Sequence, residues 1–220
     1  SSKLSIGNFK LFQLLINKLQ IPQRWKQRLT KFFWNEKYFS ELLKRLESNL
    51  DIDPVAVAGD KKMYSKMIKL NQKKIINGRS YKEIIKRFES KINDPRQSES
   101  GRKSAKIIKE FLKIKCSLNN APNVLNKFFK KHNLNIFVNK DFFPIKNLKI
   151  KNTKFEFSTR IGRGREVEFY NSLIFSLDVK KKNKFVNLIS GGRFDELTSK
   201  YLGLKKVPAV GAAVNLSNYE

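Results

Sequence analysis

The hydrophobic period changes once along this 220-residue chain, and that change limits the fold more than any other feature. Up to about His132, apolar residues recur at helical spacing. From about Ile136 they alternate with polar neighbours or form short runs rich in β-formers. Phe12, Leu15, Ile16 and Leu19 mark one face of a helix beginning near Asn8. Pro22 opens a second stripe of Trp25, Leu29, Phe32 and Phe33, and Leu42, Leu43, Leu46 and Leu50 form a third from about Ser40. Met63, Met67 and Leu70 follow Pro54 on a fourth, with Asp60 as its expected N-cap. Ser80 and Glu83 have capping-box spacing ahead of Ile84, Ile85, Phe88 and Ile92.

The polar stretch Asp94 to Arg102 reads as a linker, and Ala105, Ile108, Phe111, Leu112 and Cys116 as a further helical stripe. Pro122 opens the last helix, with Val124, Leu125, Phe128 and Phe129 inward. Strands are expected around Phe155 and Phe157, over Tyr170 to Val179, Val186 to Ser190 and Val207 to Leu216, with a short helix Arg193 to Leu202. The expected architecture is α+β, with a mainly helical region over 1–135 and an antiparallel sheet over 136–220.

Composition excludes several classes. Apolar residues make up 40% and charged residues 30%, which permits a packed core and argues against wholesale disorder. No run approaches the roughly 18 apolar residues of a membrane span, and no basic-then-apolar leader is visible. The single cysteine, Cys116, rules out an internal disulfide framework and a cysteine-rich metal site. A cytoplasmic setting is expected, and the first residue, Ser1 rather than Met, suggests a fragment. The net charge is +28, yet 36 of the 47 basic residues are lysines dispersed along the whole chain. Lys, Asn, Ile and Phe share A/T-rich codons, so a biased genome could produce this charge without selection for binding, and no specific nucleic-acid partner is expected. Lys180, Lys181 and Lys182 read as a solvated hairpin or loop.

No catalytic constellation stands out. His132 is the only histidine and reads as a surface residue among lysines. Glu166 and Glu168 share a strand face, which by itself implies no acid–base work, and no metal ligand set or cofactor fingerprint occurs. Two segments differ from the rest. Arg160 to Tyr170 concentrates Arg160, Arg163 and Arg165 around two glycines ahead of a strand, a pattern suited to a carboxylate or phosphate clamp. Ile189 to Asp195 passes from a strand through Gly191 and Gly192 toward an expected helix, where a ligand can approach the backbone closely.

These segments carry a resemblance. Ser190-Gly-Gly-Arg-Phe-Asp-Glu-Leu197, Tyr201-Leu-Gly203 and Pro208-Ala-Val-Gly211 resemble motif 3 of the histidyl-tRNA synthetases and their relatives, written SGGRYDxL and PAVG. Arg165-Glu-Val-Glu-Phe-Tyr170 resembles that family's histidine-binding strand, RGLDYY. Ile6-Gly7-Asn8 and Ile21-Pro22-Gln-Arg24-Trp25 are similar to one branch, the regulatory subunits of ATP phosphoribosyltransferase. Glu166, Glu168 and Phe169 depart from the synthetase pattern, and motifs 1 and 2 are absent.

The resemblance implies part of a class II aminoacyl-tRNA synthetase-like sheet, here its C-terminal portion, with a large helical insertion. It implies a non-catalytic regulatory subunit of histidine biosynthesis, without cofactor, that joins a short-form catalytic subunit in a hetero-oligomer and confers feedback control by L-histidine. Tyr170 would face the imidazole, Arg165 the carboxylate, and the Gly191–Gly192 backbone would form the floor, with Arg193 and Arg163 as candidate anion contacts. The rival readings are a truncated histidyl-tRNA synthetase, which an anticodon-binding domain downstream would mark, and a basic RNA-binding module.

Overall fold

In the computed structural model, residues 1–48, 52–70, 75–76, 78–94, 96, 99–143, 150–164, 169–197, 199, 203, 205 and 207–218 are described. The chain forms two compact units, Ser1–Lys18 with Thr30–Glu36 and Ile107–Glu220, and Leu19–Leu29 with Lys37–Lys106. The elements run β1 (Ser2–Asn8), α1 (Phe9–Lys18), α2 (Gln23–Lys31), α3 (Glu36–Glu47), α4 (Pro54–Leu70), β2 (Ile75–Ile76), β3 (Arg79–Ser80), α5 (Tyr81–Ile92), α6 (Glu99–Phe111), β4 (Lys115–Ser117), α7 (Ala121–Lys131), β5 (Thr153–Ser158), β6 (Leu173–Lys181), β7 (Lys184–Arg193) and β8 (Val210–Val214). The fold class is α+β.

The first unit is built on a six-stranded sheet in the order β4-β5-β1-β6-β7-β8. All neighbours are antiparallel except β1 and β5, which run parallel with Ser5 opposite Glu156, so the sheet is mixed and not purely antiparallel. Strand β1 is the largest departure from the helical pattern read for the first third. It is buried in mid-sheet, with Leu4 and Ile6 in the core, and a seven-residue strand leading straight into a helical stripe leaves no separate period to detect. Cys116 likewise belongs to β4, opposite Phe157, because α6 stops at Phe111 before the apolar stripe does. Burial raises the Cys116 thiol above its usual range. The core beneath the sheet is aromatic: the rings of Phe9, Phe12, Phe33 and Trp34 lie within 4.3–6.0 Å of one another where they pair. His132 is not a plain surface residue. Its side chain is 13% exposed, its Nε2 lies 3.0 Å from Glu110 Oε2, and its ring packs on Phe128.

The second unit is mainly helical, with β2 and β3 paired antiparallel as a two-stranded sheet. The capping box at α5 is formed, with the Glu83 N–H donating to Ser80 Oγ and Glu83 Oε2 accepting from the Ser80 N–H at 2.9 Å. Asp60 is no N-cap, because α4 begins at Pro54 and Asp53 Oδ1 accepts from the Val55 N–H at 2.9 Å. Asp60 instead pairs with Lys91 on α5 at 3.2 Å. The expected linker is anchored at its start and helical at its end. Asp94 is buried between Arg24 and Arg96, and α6 already covers Glu99 to Arg102. Burial alone would raise the Asp94 carboxyl; hydrogen bonds from Arg96 and the two guanidinium charges hold it below its usual range.

Candidate functional site

The glycine motif does not form a strand-to-helix turn. Strand β7 continues through Gly191 and Gly192 to Arg193, hydrogen-bonded to β6 on one side and β8 on the other. Close packing makes both positions glycine. A Cβ on Gly191 would meet the Gly211 carbonyl oxygen and come within 2.7 Å of the Phe175 ring. A Cβ on Gly192 would lie 2.6 Å from the Leu173 carbonyl oxygen and 2.7 Å from the Tyr170 ring. No side chain fits at such distances. Because adjacent strand residues point to opposite faces, Phe175 and Tyr170 cover opposite sides of this strand.

Side chains then lock the two halves of the motif together. The Phe194 N–H donates to the Ala209 carbonyl at 2.9 Å, and Asp195 Oδ1 accepts from the Ala209 N–H at 3.0 Å. Arg193 Nε donates to both oxygens of Asp195 at 2.9 and 2.7 Å, while its side chain remains 45% exposed. The Asn171 N–H donates to the Arg193 carbonyl at 3.1 Å, which brings the segment after residue 168 to the end of β7. Phe169, Tyr170 and Phe194 form an aromatic cluster, with centroids 4.6–6.2 Å apart, against Gly192 and Gly211.

A cavity of about 680 Å³ opens at this end of the sheet, with Phe175, Gly192, Arg193 and Val210 in its wall. Lys10 and Asp141 complete the charged part, and Asn8 and Ser172 the neutral polar part. The Asn8 Nδ2 donates to the Phe142 carbonyl at 2.9 Å and its Oδ1 accepts from the Lys10 N–H, so one side chain ties the start of α1 to the 140–142 turn. Two cations and one carboxylate around an apolar ring suit a small zwitterion or a carboxylate-bearing ligand. Lys10, Asp141 and Ser172 were not singled out from sequence. They come from three distant segments, whereas Asn8, Gly192, Arg193 and Val210 lie within the motif segments.

Of the residues read as site candidates, Gly192 and Arg193 line this cavity, Gly191 is buried beside them, and Tyr170 packs on Gly192 from the other face. Arg165 lies outside the described residues, as do Glu166 and Glu168. Arg163 is turned inward: its side chain is 5% exposed, its Nε donates to the Phe33 carbonyl at 2.9 Å, and its guanidinium lies 5.2 Å from the Phe33 ring centroid. Burial lowers its pKa to about 10, against the raising effect of Glu36. Arg160 donates to Glu36 Oε1 at 2.7 Å, which holds the Glu36 carboxyl below its usual range. Among the described residues no cluster of His, Cys, Asp and Glu could hold a metal ion, and no helix is long and apolar enough to cross a membrane.

No family model matches the chain. Curated proteins named "ATP phosphoribosyltransferase regulatory subunit" do. That of Brucella anthropi is 22% identical over 232 aligned positions, and that of Rhizobium rhizogenes 26% over 236, each covering 99% of this chain and 61% of the relative. The chain therefore spans about three-fifths of the length of these relatives. Among solved structures, a histidyl-tRNA synthetase from Nostoc sp. PCC 7120 covers the whole chain and 41% of its own, at 16% identity and a TM-score of 0.49. An ATP phosphoribosyltransferase regulatory subunit/histidyl-tRNA synthetase from Bacillus halodurans covers 99% of this chain and 43% of its own, at 19% identity and a TM-score of 0.37. Over nearly its whole length, the chain is similar in sequence to the regulatory subunits of ATP phosphoribosyltransferase.

Proposed function

We propose that this chain is part of a non-catalytic, cytoplasmic regulatory subunit of ATP phosphoribosyltransferase, which joins a short-form catalytic subunit in a hetero-oligomer and binds L-histidine for feedback control. The observation that carries this reading is the match over 99% of this chain, with the motif strand included, to proteins bearing that name. The geometry supports it chemically. A cavity bordered by Lys10, Arg193 and Asp141 complements an amino acid's two opposite charges, with Gly192 in its wall. The motif resemblance, rather than the cavity, adds Tyr170, whose phenol suits an imidazole, and Arg165, whose guanidinium suits a carboxylate.

The test uses the whole protein with its catalytic partner and follows phosphoribosyl transfer against histidine concentration. Histidine inhibits the complex in this reading. Arg165→Ala raises the histidine needed by roughly ten- to a hundred-fold, since one charge-assisted contact is worth about 1.5–3 kcal/mol. Tyr170→Phe costs less, about 1 kcal/mol, and both variants keep basal transfer. Histidine-dependent ATP–pyrophosphate exchange, or charging of tRNA above a no-enzyme control, overturns the proposal. So does tight, tRNA-selective binding at about 0.15 M salt, where binding by dispersed lysines fades.

A further inference from the structure

The pairing of β6 with β7 contains one irregularity. Asp178 faces Asn187 and Leu177 faces Ile189, so Leu188 is an extra residue, a β-bulge. Its effect is on which side chains face where. In a regular strand Asn187 and Ser190, three apart, point to opposite faces. Here they share one, and Ser190 Oγ donates to Asn187 Oδ1 at 2.8 Å. Carried on without the bulge, the register would set Ser190 against Phe175 and Gly191 against Ile174. Every residue from Ile189 to Arg193 would then change face. The bulge therefore sets Gly191 under Phe175, Gly192 under Tyr170, and Arg193 on the cavity rim.

One side chain spans this bulge. Asn187 Nδ2 lies within donor distance of Ser176 Oγ (2.8 Å), Asp178 Oδ1 (3.1 Å) and the Ile189 carbonyl (3.1 Å), while its Oδ1 accepts from Ser190. Its amide thus joins residues before the bulge to residues after it, on both strands. Asp178 is itself held by Ser176 Oγ at 2.9 Å and by Lys3 at 3.4 Å. The extra residue is also used: the Leu188 carbonyl accepts from the Asn215 N–H at 2.8 Å, just past the end of β8.

We propose that Asn187 is a positioning residue for the candidate site, which fixes through the Leu188 bulge the register in which Gly191, Gly192 and Arg193 are presented. This rests on the reading of β7 as the ligand-bearing strand. The closing experiment therefore separates the two claims. In the whole protein, Asn187→Leu, Asn187→Ser and a control, Val186→Ala in the same strand before the bulge, are compared at matched loss of melting temperature. The readouts are the amide resonances of Gly191 and Gly192 and the histidine inhibition of the complex.

Both Asn187 variants shift the two glycine amides and raise the histidine needed for inhibition by tenfold or more, with basal transfer kept; the control does neither. Unmoved amides in Asn187→Ser overturn the proposal, as does an equal shift in Val186→Ala. Should Asn187→Leu fail to fold, Asn187→Ser decides. If histidine does not inhibit the wild-type complex, the functional reading falls, and the amide shifts alone decide the positioning claim.

Discussion

Two segments of the first unit look alike in sequence and behave differently in the fold. Arg160 to Gly164 and Ser190 to Asp195 each combine arginine with glycine beside a strand. The first turns Arg163 inward onto the Phe33 carbonyl and ring and pairs the exposed Arg160 with Glu36, and the Gly164 N–H donates to the Trp34 carbonyl at 2.9 Å. The second keeps its glycines inside a three-strand ladder and leaves Arg193 half-exposed at a cavity rim. Arginine density therefore does not by itself mark an anion site. A local backbone carbonyl and an aromatic ring engage the buried Arg163 instead.

Four substitutions sharpen or break this contrast. Gly191→Ala has the largest expected effect, about 3 kcal/mol lost in urea unfolding, because its Cβ meets the Gly211 carbonyl and the Phe175 ring in a closed ladder. A loss under about 1 kcal/mol would mean that β7 can shift and that its glycines are not fixed by packing. Arg163→Met follows, at about 2 kcal/mol, since it strands the Phe33 carbonyl while keeping the apolar stem. An Arg163→Met variant of unchanged stability that lost histidine inhibition would return this arginine to the ligand.

Glu36→Gln comes third, below about 1 kcal/mol, because the pair with Arg160 is solvent-screened. Its sign follows from the lowered Glu36 carboxyl. The contribution is present above the unfolded value of about 4.3 and is lost as pH falls through the folded one. Wild type and variant should therefore differ at pH 7 and converge in acid, as followed by urea midpoints. A gap that persists or widens in acid would assign the effect elsewhere. Arg193→Met is the smallest in stability, within about 0.5 kcal/mol, since its pair with Asp195 is half-exposed. Its expected readout is weaker carboxylate binding, measured by calorimetry with histidine. Unaltered binding would leave Arg193 a strut for Asp195.

The capping box at Ser80, the stripe of α1 and the helix opened at Pro122 were legible because each is specified within about one or two turns of sequence. The hairpin at Lys180 to Lys182 was legible for the same local reason, with Lys181 opposite Lys184. Asp60 shows the limit of such signals. Asp53, seven residues earlier, captured the helix start, because proline is well tolerated in a first turn.

By itself the sequence determined the α+β class, most helix positions, and the motif strand up to Ser190, all of which depend on local period and spacing; that Gly191 and Gly192 continue it appeared only in the fold. The tertiary structure decided the rest. It placed β1 in mid-sheet, ran β5 parallel to it, closed Arg163 onto Phe33, and gathered Lys10, Asp141 and Arg193 around one cavity. It also set one extra residue, Leu188, to choose the face on which the glycines and Arg193 lie. These outcomes depend on pairing between segments as far apart as Ser5 and Glu156, and no local pattern encodes which distant strand will offer its edge.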